Sequence, residues 1–174
     1  MIREKKYSDY MIKEIDMLTE YNGKVFNAEI NGNKISIWKY IPVEGFNKVT
    51  TRRGITYYEK IVDVNEVSSF FSVSFIAVKN NMRFTVKSFI NEKIEVLCDD
   101  CEYAKAHDFT EIEHGVWCSR NTVDYYEKFQ LIKSIQDSNE RNVKELSQKD
   151  FEDAWKQYVK EVGMWNHGHF KKVK

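Results

Sequence analysis

Hydrophobic residues follow a helical spacing at the start of this chain and an alternating spacing further along. Ser8 can cap a first helix, because its side-chain oxygen can accept a free N–H group of the first turn. The pair Asn22-Gly23 supplies a left-handed stop. The apolar positions between them, at Met11, Ile12, Ile15 and Leu18, fall on one side of a helix. The pattern predicts an N-terminal helix with one apolar face, which packs on a sheet.

Alternating apolar and polar positions begin after this helix and predict a β-hairpin. The pair Asn31-Gly32 separates two such runs in "KVFNAEINGNKISIWKYIP". A type I′ turn needs positive φ at both central residues, which Asn-Gly tolerates. The second strand contains Ile35 and Ile37 and ends at Pro42. The next segment, "VEGFNKVTTRRG", is expected to be a polar loop, in which Arg52 and Arg53 either bind a phosphate or carboxylate or are solvated.

Further strands are predicted in the middle of the chain, with short turns between them. The predicted strands are "ITYYEKIVDV", "SFFSVSFIAVK", "MRFTVKSFI" and "KIEVLC". In the second of them Phe71, Val73 and Phe75 alternate with serines, which implies one buried face and one wetter face. Asn80-Asn81 and Asn91-Glu92 separate the last three of these segments. Consecutive strands joined by such short turns predict an antiparallel meander.

Two helices are predicted after residue 120. Asn121 or Thr122 caps the first, through "VDYYEKFQLIKSI". Ser147 caps the second with Asp150 three residues on, in a capping-box arrangement, and Gly163 ends it. Its apolar face consists of Phe151, Trp155, Tyr158, Val159 and Val162. The sequence therefore predicts one α+β domain over residues 1–174, with an antiparallel sheet of about five to seven strands, one N-terminal helix and two C-terminal helices.

Composition favours a folded domain and disfavours several classes of partner. The chain has 174 residues, 42% hydrophobic and 14% aromatic, which suffices for one core. Its 27 Lys plus Arg balance 27 Asp plus Glu, so the basic excess of a nucleic-acid binder is absent. No signal peptide or membrane-spanning run is recognisable, and three cysteines do not suit a secreted disulfide framework. These features predict a cytoplasmic protein. The segment from about residue 164 is basic and is expected to be a frayed tail.

All three cysteines lie in one short segment and leave two interpretations open. Cys98, Cys101, His114 and Cys118 have the ligand spacing of a zinc site, C-x2-C-x12-H-x3-C. The residues of a ββα finger are missing between these ligands, and Gly115 and Val116 disfavour a helix after His114. Alternatively Cys98 continues the apolar face of a strand as a small hydrophobic residue. The second interpretation is preferred, and no metal or other cofactor is expected.

The same segment is strongly acidic. It contains six acids and one base, Lys105, between residues 99 and 113. A solvated loop is one interpretation of such a run. The other is a docking surface for a basic protein, with three aromatic residues as anchors. The candidate partner-binding residues are Asp99, Asp100, Glu102, Tyr103, Asp108, Phe109, Glu111, Glu113 and Trp117.

No local signature of catalysis occurs in the chain. The phosphate-binding, dinucleotide-binding, serine-hydrolase and zinc-protease motifs are all missing. A binding protein is therefore expected rather than an enzyme.

The whole chain resembles the immunity proteins of bacterial polymorphic-toxin systems, of the contact-dependent inhibition type. The resemblance lies in its size, its aromatic-rich antiparallel sheet with helices at both ends, and the closing "VKELSQKDFEDAWKQYVKEV". It implies a protein that binds a toxin domain and blocks it by covering or misshaping the active site. The acidic segment indicates that this toxin domain is basic. The alternatives are a zinc-containing nucleic-acid-associated module using the four Cys and His residues, and a phage-type inhibitor of host defence.

Overall fold

The computed structural model describes residues 14–163, which form twelve β-strands, two α-helices and two 3-10 turns. The strands are β1 (Glu14–Tyr21), β2 (Lys24–Asn31), β3 (Lys34–Lys39), β4 (Asn47–Thr50), β5 (Thr56–Asp63), β6 (Phe71–Lys79), β7 (Met82–Ile90), β8 (Lys93–Cys98), β9 (Thr110–Glu113), β10 (Val116–Thr122), β11 (Lys128–Ile135) and β12 (Arg141–Leu146). The helices are α1 (Cys101–Ala106) and α2 (Gln148–Val162), and the 3-10 turns are Val64–Glu66 and Val123–Tyr125.

All of these strands belong to one antiparallel sheet, which divides at β6. One edge of β6 pairs with β11 along nearly its full length, from Phe71 to Val78. The other edge pairs with β1 through residues 71–74 and with β7 through residues 76–79. Two branches therefore leave β6 on the same side, an N-terminal branch β1-β2-β3-β5-β4 and a C-terminal branch β7-β8-β10-β9. On its other side, β11 pairs with β12.

Buried hydrophobic residues form a main core, a second core and a small cluster of Ile76, Val78 and Ile132, and the main core and the second core lie on opposite faces of this sheet. Leu18 of β1 and Val25 of β2 belong to the main core, whereas Met17 and Phe26, their neighbours in sequence, belong to the second core. Successive side chains of a strand point to opposite faces, so both faces of the N-terminal branch are covered here. The main core continues through β6, β7, β8 and β11 and is covered by α2.

Aromatic side chains pack α2 onto the main core. The ring of Phe75 lies 5.6 Å from Phe151, 5.3 Å from Trp155 and 5.8 Å from Tyr158, each distance joining ring centroids. Ser147 caps the helix by accepting a hydrogen bond from the Asp150 N–H at 3.1 Å. The prediction of this last helix is confirmed, including its start after Ser147 and its end at Gly163.

The C-terminal end of α2 is bound to the N-terminal branch. The Asn27 amide donates to the Val162 carbonyl at 3.0 Å, and the Tyr40 N–H donates to the Glu161 carbonyl at 2.8 Å. Lys39 lies 3.4 Å from the Glu161 carboxylate. These bonds satisfy carbonyl groups that the last turn of a helix leaves free. The helix therefore connects the N-terminal branch to the core around β6.

The predicted N-terminal helix is wrong where the structure describes the chain. Residues 14–21 form strand β1, and Ser8, Met11 and Ile12 lie outside the described residues. Leu18 and Thr19 are both fully buried, on opposite faces of the sheet. A strand covered on both faces loses its polar alternation, and its apolar residues then imitate helical spacing. Asn22 and Gly23 adopt φ of +51° and +75°, but they form a hairpin turn rather than a helix end.

The helix predicted after Thr122 is also wrong, because this segment forms a 3-10 turn followed by strand β11. Phe129 is buried in the main core, and Ile132 is buried against Ile76 and Val78 on the opposite face. Phe129 and Ile132 are three residues apart, which is also the spacing of residues on one face of a helix. The described residues thus contain twelve strands rather than five to seven, and α2 is the one helix longer than two turns among them.

Several turns match their predictions closely. Asn80-Asn81 and Asn91-Glu92 join β6, β7 and β8 with positive φ at all four residues, so the predicted meander is confirmed. The hairpin of β2 and β3 is confirmed, but its turn residues are Gly32 and Asn33. Of these, Gly32 alone has positive φ, as in a type II′ turn. The segment predicted as a polar loop contains the short strand β4. The predicted basic tail lies outside the described residues.

Candidate protein-interaction surface

The acidic segment folds into α1 and β9 at the end of the C-terminal branch. The Asp100 carboxylate accepts a hydrogen bond from the Tyr103 N–H at 3.0 Å and so caps α1. Ala104 is fully buried and fixes the helix to the main core. Asp108 has φ of +60° and turns the chain toward β9. The six acids of this region, called the acidic surface below, are Asp99, Asp100, Glu102, Asp108, Glu111 and Glu113.

These carboxylates are accessible and lack counter-charges. Five are exposed and Glu113 is half-buried. No ion pair joins any of the six to a residue of the described chain, 14–163. Lys105, the single base of the segment, lies over the ring of Trp117, 6.0 Å from its centroid. The negative field of this region is therefore not neutralised by neighbouring side chains.

The three aromatic residues predicted as anchors support this surface from below. Tyr103 and Phe109 both pack on Phe84. The centroid of the Phe84 ring lies 5.4 Å from that of Tyr103 and 5.6 Å from that of Phe109. Trp117 packs against the main core, and its indole N–H is buried without a hydrogen-bond partner among the described residues. All three are only partly buried. Each therefore stays partly accessible within or next to the segment that carries the carboxylates.

Strand β9 is an edge of the sheet in the described part of the chain. It pairs with β10 through Thr110, Glu111 and Glu113, with an irregularity in register between the last two pairs. Its second edge carries no strand partner among residues 14–163. Charged residues on an edge strand oppose unspecific pairing with other strands. The acids of β9 thus favour a charged partner over an apolar one.

The strand register separates the residues of the predicted zinc site. Cys98 lies opposite Trp117, and Cys118 lies opposite Leu97. Because neighbouring residues of a strand point to opposite faces, the Cys98 and Cys118 side chains lie on opposite faces of the sheet. Cys101 and His114 are exposed, in α1 and in the β9–β10 turn. No group of three or more His, Cys, Asp or Glu residues between 14 and 163 is arranged to hold a metal ion.

The Cys98 and Cys118 thiols do not have the properties of nucleophiles. Burial raises the pKa of the Cys98 thiol, and it raises the pKa of Cys118 to about 12, with the Glu95 carboxylate adding to the effect. A nucleophilic cysteine needs a lowered pKa, since the thiolate is the reactive form. Cys98 and Cys118 are therefore structural.

Glu95 is a buried charged residue that the sequence pattern did not reveal. Its carboxylate lies 2.9 Å from the Lys87 ammonium and 2.6 Å from the Arg120 guanidinium. Burial pushes the pKa of Glu95 upward, but the hydrogen bonds from Lys87 and Arg120 outweigh it, and the net pKa lies below the ordinary value. Glu95 sits in β8 between apolar neighbours, where an alternating pattern predicts only solvent exposure. This ion-pair cluster ties β7, β8 and β10 together.

Arg52 and Arg53 are exposed in the β4–β5 turn. Neither forms an ion pair within the described chain. The structure does not bring them together with any other predicted site residue.

Comparison with known proteins gives no relative from which a function could be transferred. No protein-family model matches the chain, and neither a curated protein nor a solved structure matches it. Neither helix between residues 14 and 163 is long and apolar enough to span a membrane.

Proposed function

We propose that this protein is a cytoplasmic binding protein that inhibits a basic toxin domain, as the immunity protein of a polymorphic-toxin system. The observation that carries the proposal is the acidic surface, with its six carboxylates free of ion pairs within the described residues. Toxins that cleave or modify nucleic acids need basic active sites, because their substrates are polyanions. An acidic surface competes with such a substrate for the same groups and occludes the site.

The arrangement of the surface supports binding rather than catalysis. Three of its carboxylates lie on a short helix and an edge strand and the other three lie in the segments that flank this helix, while Tyr103 and Phe109 pack on Phe84 in the main core. A rigid support lowers the entropy lost when a partner binds. Exposed charges act mainly on the rate of association and on its salt dependence. Partly accessible aromatic rings then supply apolar contact area at the centre of the interface.

The first test is genetic and biochemical. The C-terminal domain encoded by an adjacent toxin-like gene is expressed with and without this protein, and cell growth is measured. We expect growth to be restored by co-expression and the two purified proteins to form a complex. If the neighbouring gene belongs instead to a phage and the protein blocks a host defence nuclease, the same acidic surface serves an anti-defence inhibitor. Growth inhibition that persists despite equal expression contradicts the proposal.

The second test is a charge reversal at the surface. Asp99, Glu102 and Glu111 are exposed and make no capping bond, so a triple Asp99→Lys, Glu102→Lys, Glu111→Lys variant keeps the fold. We expect its association with the toxin domain to slow at least tenfold at low salt and to lose most of its salt dependence. Stopped-flow fluorescence measures both quantities.

The matched control carries the same change of charge elsewhere. Glu29, Glu44 and Glu140 are exposed and lie outside the acidic surface, so the triple Glu→Lys variant at these positions alters net charge equally. We expect its association rate to stay within about twofold of the natural protein. Equal slowing by both variants would show that net charge, rather than this surface, controls binding.

A further inference from the structure

A groove runs along α2, between this helix and strands β2, β11 and β12. Its volume is about 380 Å³, which falls within the roughly 300–1,000 Å³ of typical ligand sites. The floor is apolar and consists of Val25, Leu131 and Leu146. Ala154 stands at the middle of the helix side, and its small side chain leaves the space open.

The helix side of the groove carries negative charge. Asp150, Asp153 and Glu161 line it, against a single cationic residue, Lys144 on β12. Asp150 and Asp153 form no ion pair within the described chain, whereas Glu161 lies 3.4 Å from Lys39. Tyr158, whose pKa is raised to about 12 by burial, adds an aromatic wall. An aromatic ring and nearby carboxylates together attract a cation.

The length of the groove indicates the shape of its occupant. Asp150 and Glu161 lie on one side of α2, and a helix rises 1.5 Å per residue, so they are separated by about 16 Å along the axis. An extended segment of five residues spans the same distance, at about 3.3 Å per residue. In such a segment alternate side chains point to opposite sides. Apolar side chains can then enter the floor while the cationic ones reach the carboxylates.

We propose that this groove binds an extended segment of a partner protein in which lysine or arginine residues alternate with apolar residues. The proposal does not depend on the toxin-inhibitor function, because it rests on the charge and shape of a different surface. The acidic surface lies within residues 99–113, in and around α1 and β9, and the groove lies along α2.

The test uses a labelled peptide and the full chain. The probe is fluorescein-labelled Lys-Leu-Lys-Leu-Lys amide, and its binding is measured by fluorescence anisotropy at low and moderate salt. We expect saturable binding that weakens at least tenfold when both leucines are replaced by serine and is absent for Glu-Leu-Glu-Leu-Glu. Equal binding of the serine peptide would show that the apolar floor is not used and would overturn the proposal.

Two variants and one control localise the binding. Asp153 is exposed, so Asp153→Lys preserves the fold, and adding Ala154→Trp fills the groove. We expect at least tenfold weaker binding for the single variant and no measurable binding for the double variant. Glu152→Lys makes the same change of charge on the same helix, but residue 152 does not line the groove. We expect the peptide affinity of this variant to stay within about twofold of the natural protein. Thermal melts verify that each variant is folded.

Other occupants of the groove give different results, each of which would overturn the proposal. A dimer seen by sedimentation, dissociated by the double variant, would identify a second copy of this chain. Tighter peptide binding after removal of residues 164–174 would identify the chain's own C-terminal segment. Peptide binding lost in the Asp99, Glu102 and Glu111 reversal but retained in the groove variants would place the peptide on the acidic surface.

Discussion

Lys39 is a charged side chain held almost entirely out of water, with 2% of its surface exposed. Burial lowers its pKa, and the Glu161 carboxylate at 3.4 Å partly compensates. Its ammonium also lies 4.4 Å from the centroid of the Phe26 ring. The pair therefore joins the second core to the end of α2. Removing one partner leaves a buried charge uncompensated, whereas replacing the lysine by an apolar residue removes the cost of burying it.

We expect Lys39→Met to change the free energy of unfolding by less than about 1 kcal/mol, because methionine keeps the packing and the Glu161 carboxylate left behind still has 23% of its side chain exposed to water. Glu161→Gln should cost more, about 1–3 kcal/mol, since Lys39 then loses its charged partner. Urea denaturation measures both values. A larger loss for Lys39→Met than for Glu161→Gln would show that the pair itself provides net stabilisation.

Gly163 ends α2 for two separate reasons. Its φ of +78° lies in the left-handed region, which glycine enters without strain. In addition, a Cβ atom built at this position would lie 2.2 Å from Cε2 of Tyr40, much closer than atoms can approach. The helix end and the Tyr40 ring therefore fit together only without a side chain at residue 163.

We expect Gly163→Ala to destabilise the protein by more than the roughly 1–2 kcal/mol of a left-handed alanine. The control is Gly115→Ala, since Gly115 has φ of +77° and open space where the Cβ would lie. The difference between the two losses in urea denaturation isolates the contact with Tyr40. Equal losses would mean that the ring moves aside without cost.

The final helix was predicted almost completely, because its signals are local. Ser147 at its start, Gly163 at its end and an apolar face every three to four residues all lie within 17 residues. The turns at Asn80-Asn81 and Asn91-Glu92 were predicted for the same reason. Strands β1 and β11 were mistaken for helices, because their second face is covered by elements distant in sequence. No local pattern contains that information.

The candidate surface was predicted in part. The excess of acids between Asp99 and Glu113 could be read directly from the sequence. The capping role of Asp100 and the packing of Tyr103 on Phe84 required the fold. The separation of Cys98 from Cys118 also depended on strand register, which cysteine spacing does not specify.

Substitution of Trp155 tests how much the packing of α2 against the sheet contributes to stability. It is 5% exposed and its ring lies 5.3 Å from that of Phe75. We expect Trp155→Ala to cost about 3–5 kcal/mol, the usual loss for a buried aromatic side chain. Lys156→Ala, at the exposed neighbouring position, should cost less than about 0.5 kcal/mol. A Trp155→Ala protein whose urea midpoint equals that of Lys156→Ala would show that this face contributes nothing to stability.

Stability of the whole molecule should decline under alkaline conditions. Burial raises the pKa of Cys118, Tyr126 and Tyr158 to about 12 each, from ordinary values of 9.0 for the thiol and 10.0 for the phenols. A raised pKa means that the folded state holds the proton more tightly than the unfolded state. The resulting stability is complete below pH 9 and is lost as the pH rises toward 12. The lowered pKa of Lys39 has the opposite effect, because it makes the folded state more stable as the pH rises.

We therefore expect the urea midpoint to fall between pH 9 and pH 11.5, with each of the three groups contributing up to about 1.4 kcal/mol per pH unit above its unfolded pKa. Tyr126→Phe should flatten this decline and leave stability at pH 7 nearly unchanged. The Tyr126 hydroxyl is buried and makes no well-formed hydrogen bond within the described chain, although an interaction with the Asn121 side chain opposes the rise in its pKa. An unchanged slope for Tyr126→Phe would show that this phenol ionises without unfolding the chain.

The division of the sheet at β6 also determines the order in which a nascent chain can fold. When residues 71–79 leave the ribosome, β1 has already been made and can pair with one edge of β6. The other edge pairs with β11, which is complete only after residue 135 has been synthesised. Synthesis proceeds at about 5–20 residues per second, so that edge stays open for roughly 3–11 seconds. An apolar strand with an open edge is a site of aggregation during this interval. The pace of translation between residues 79 and 135 therefore influences how much of the newly made protein reaches the native state.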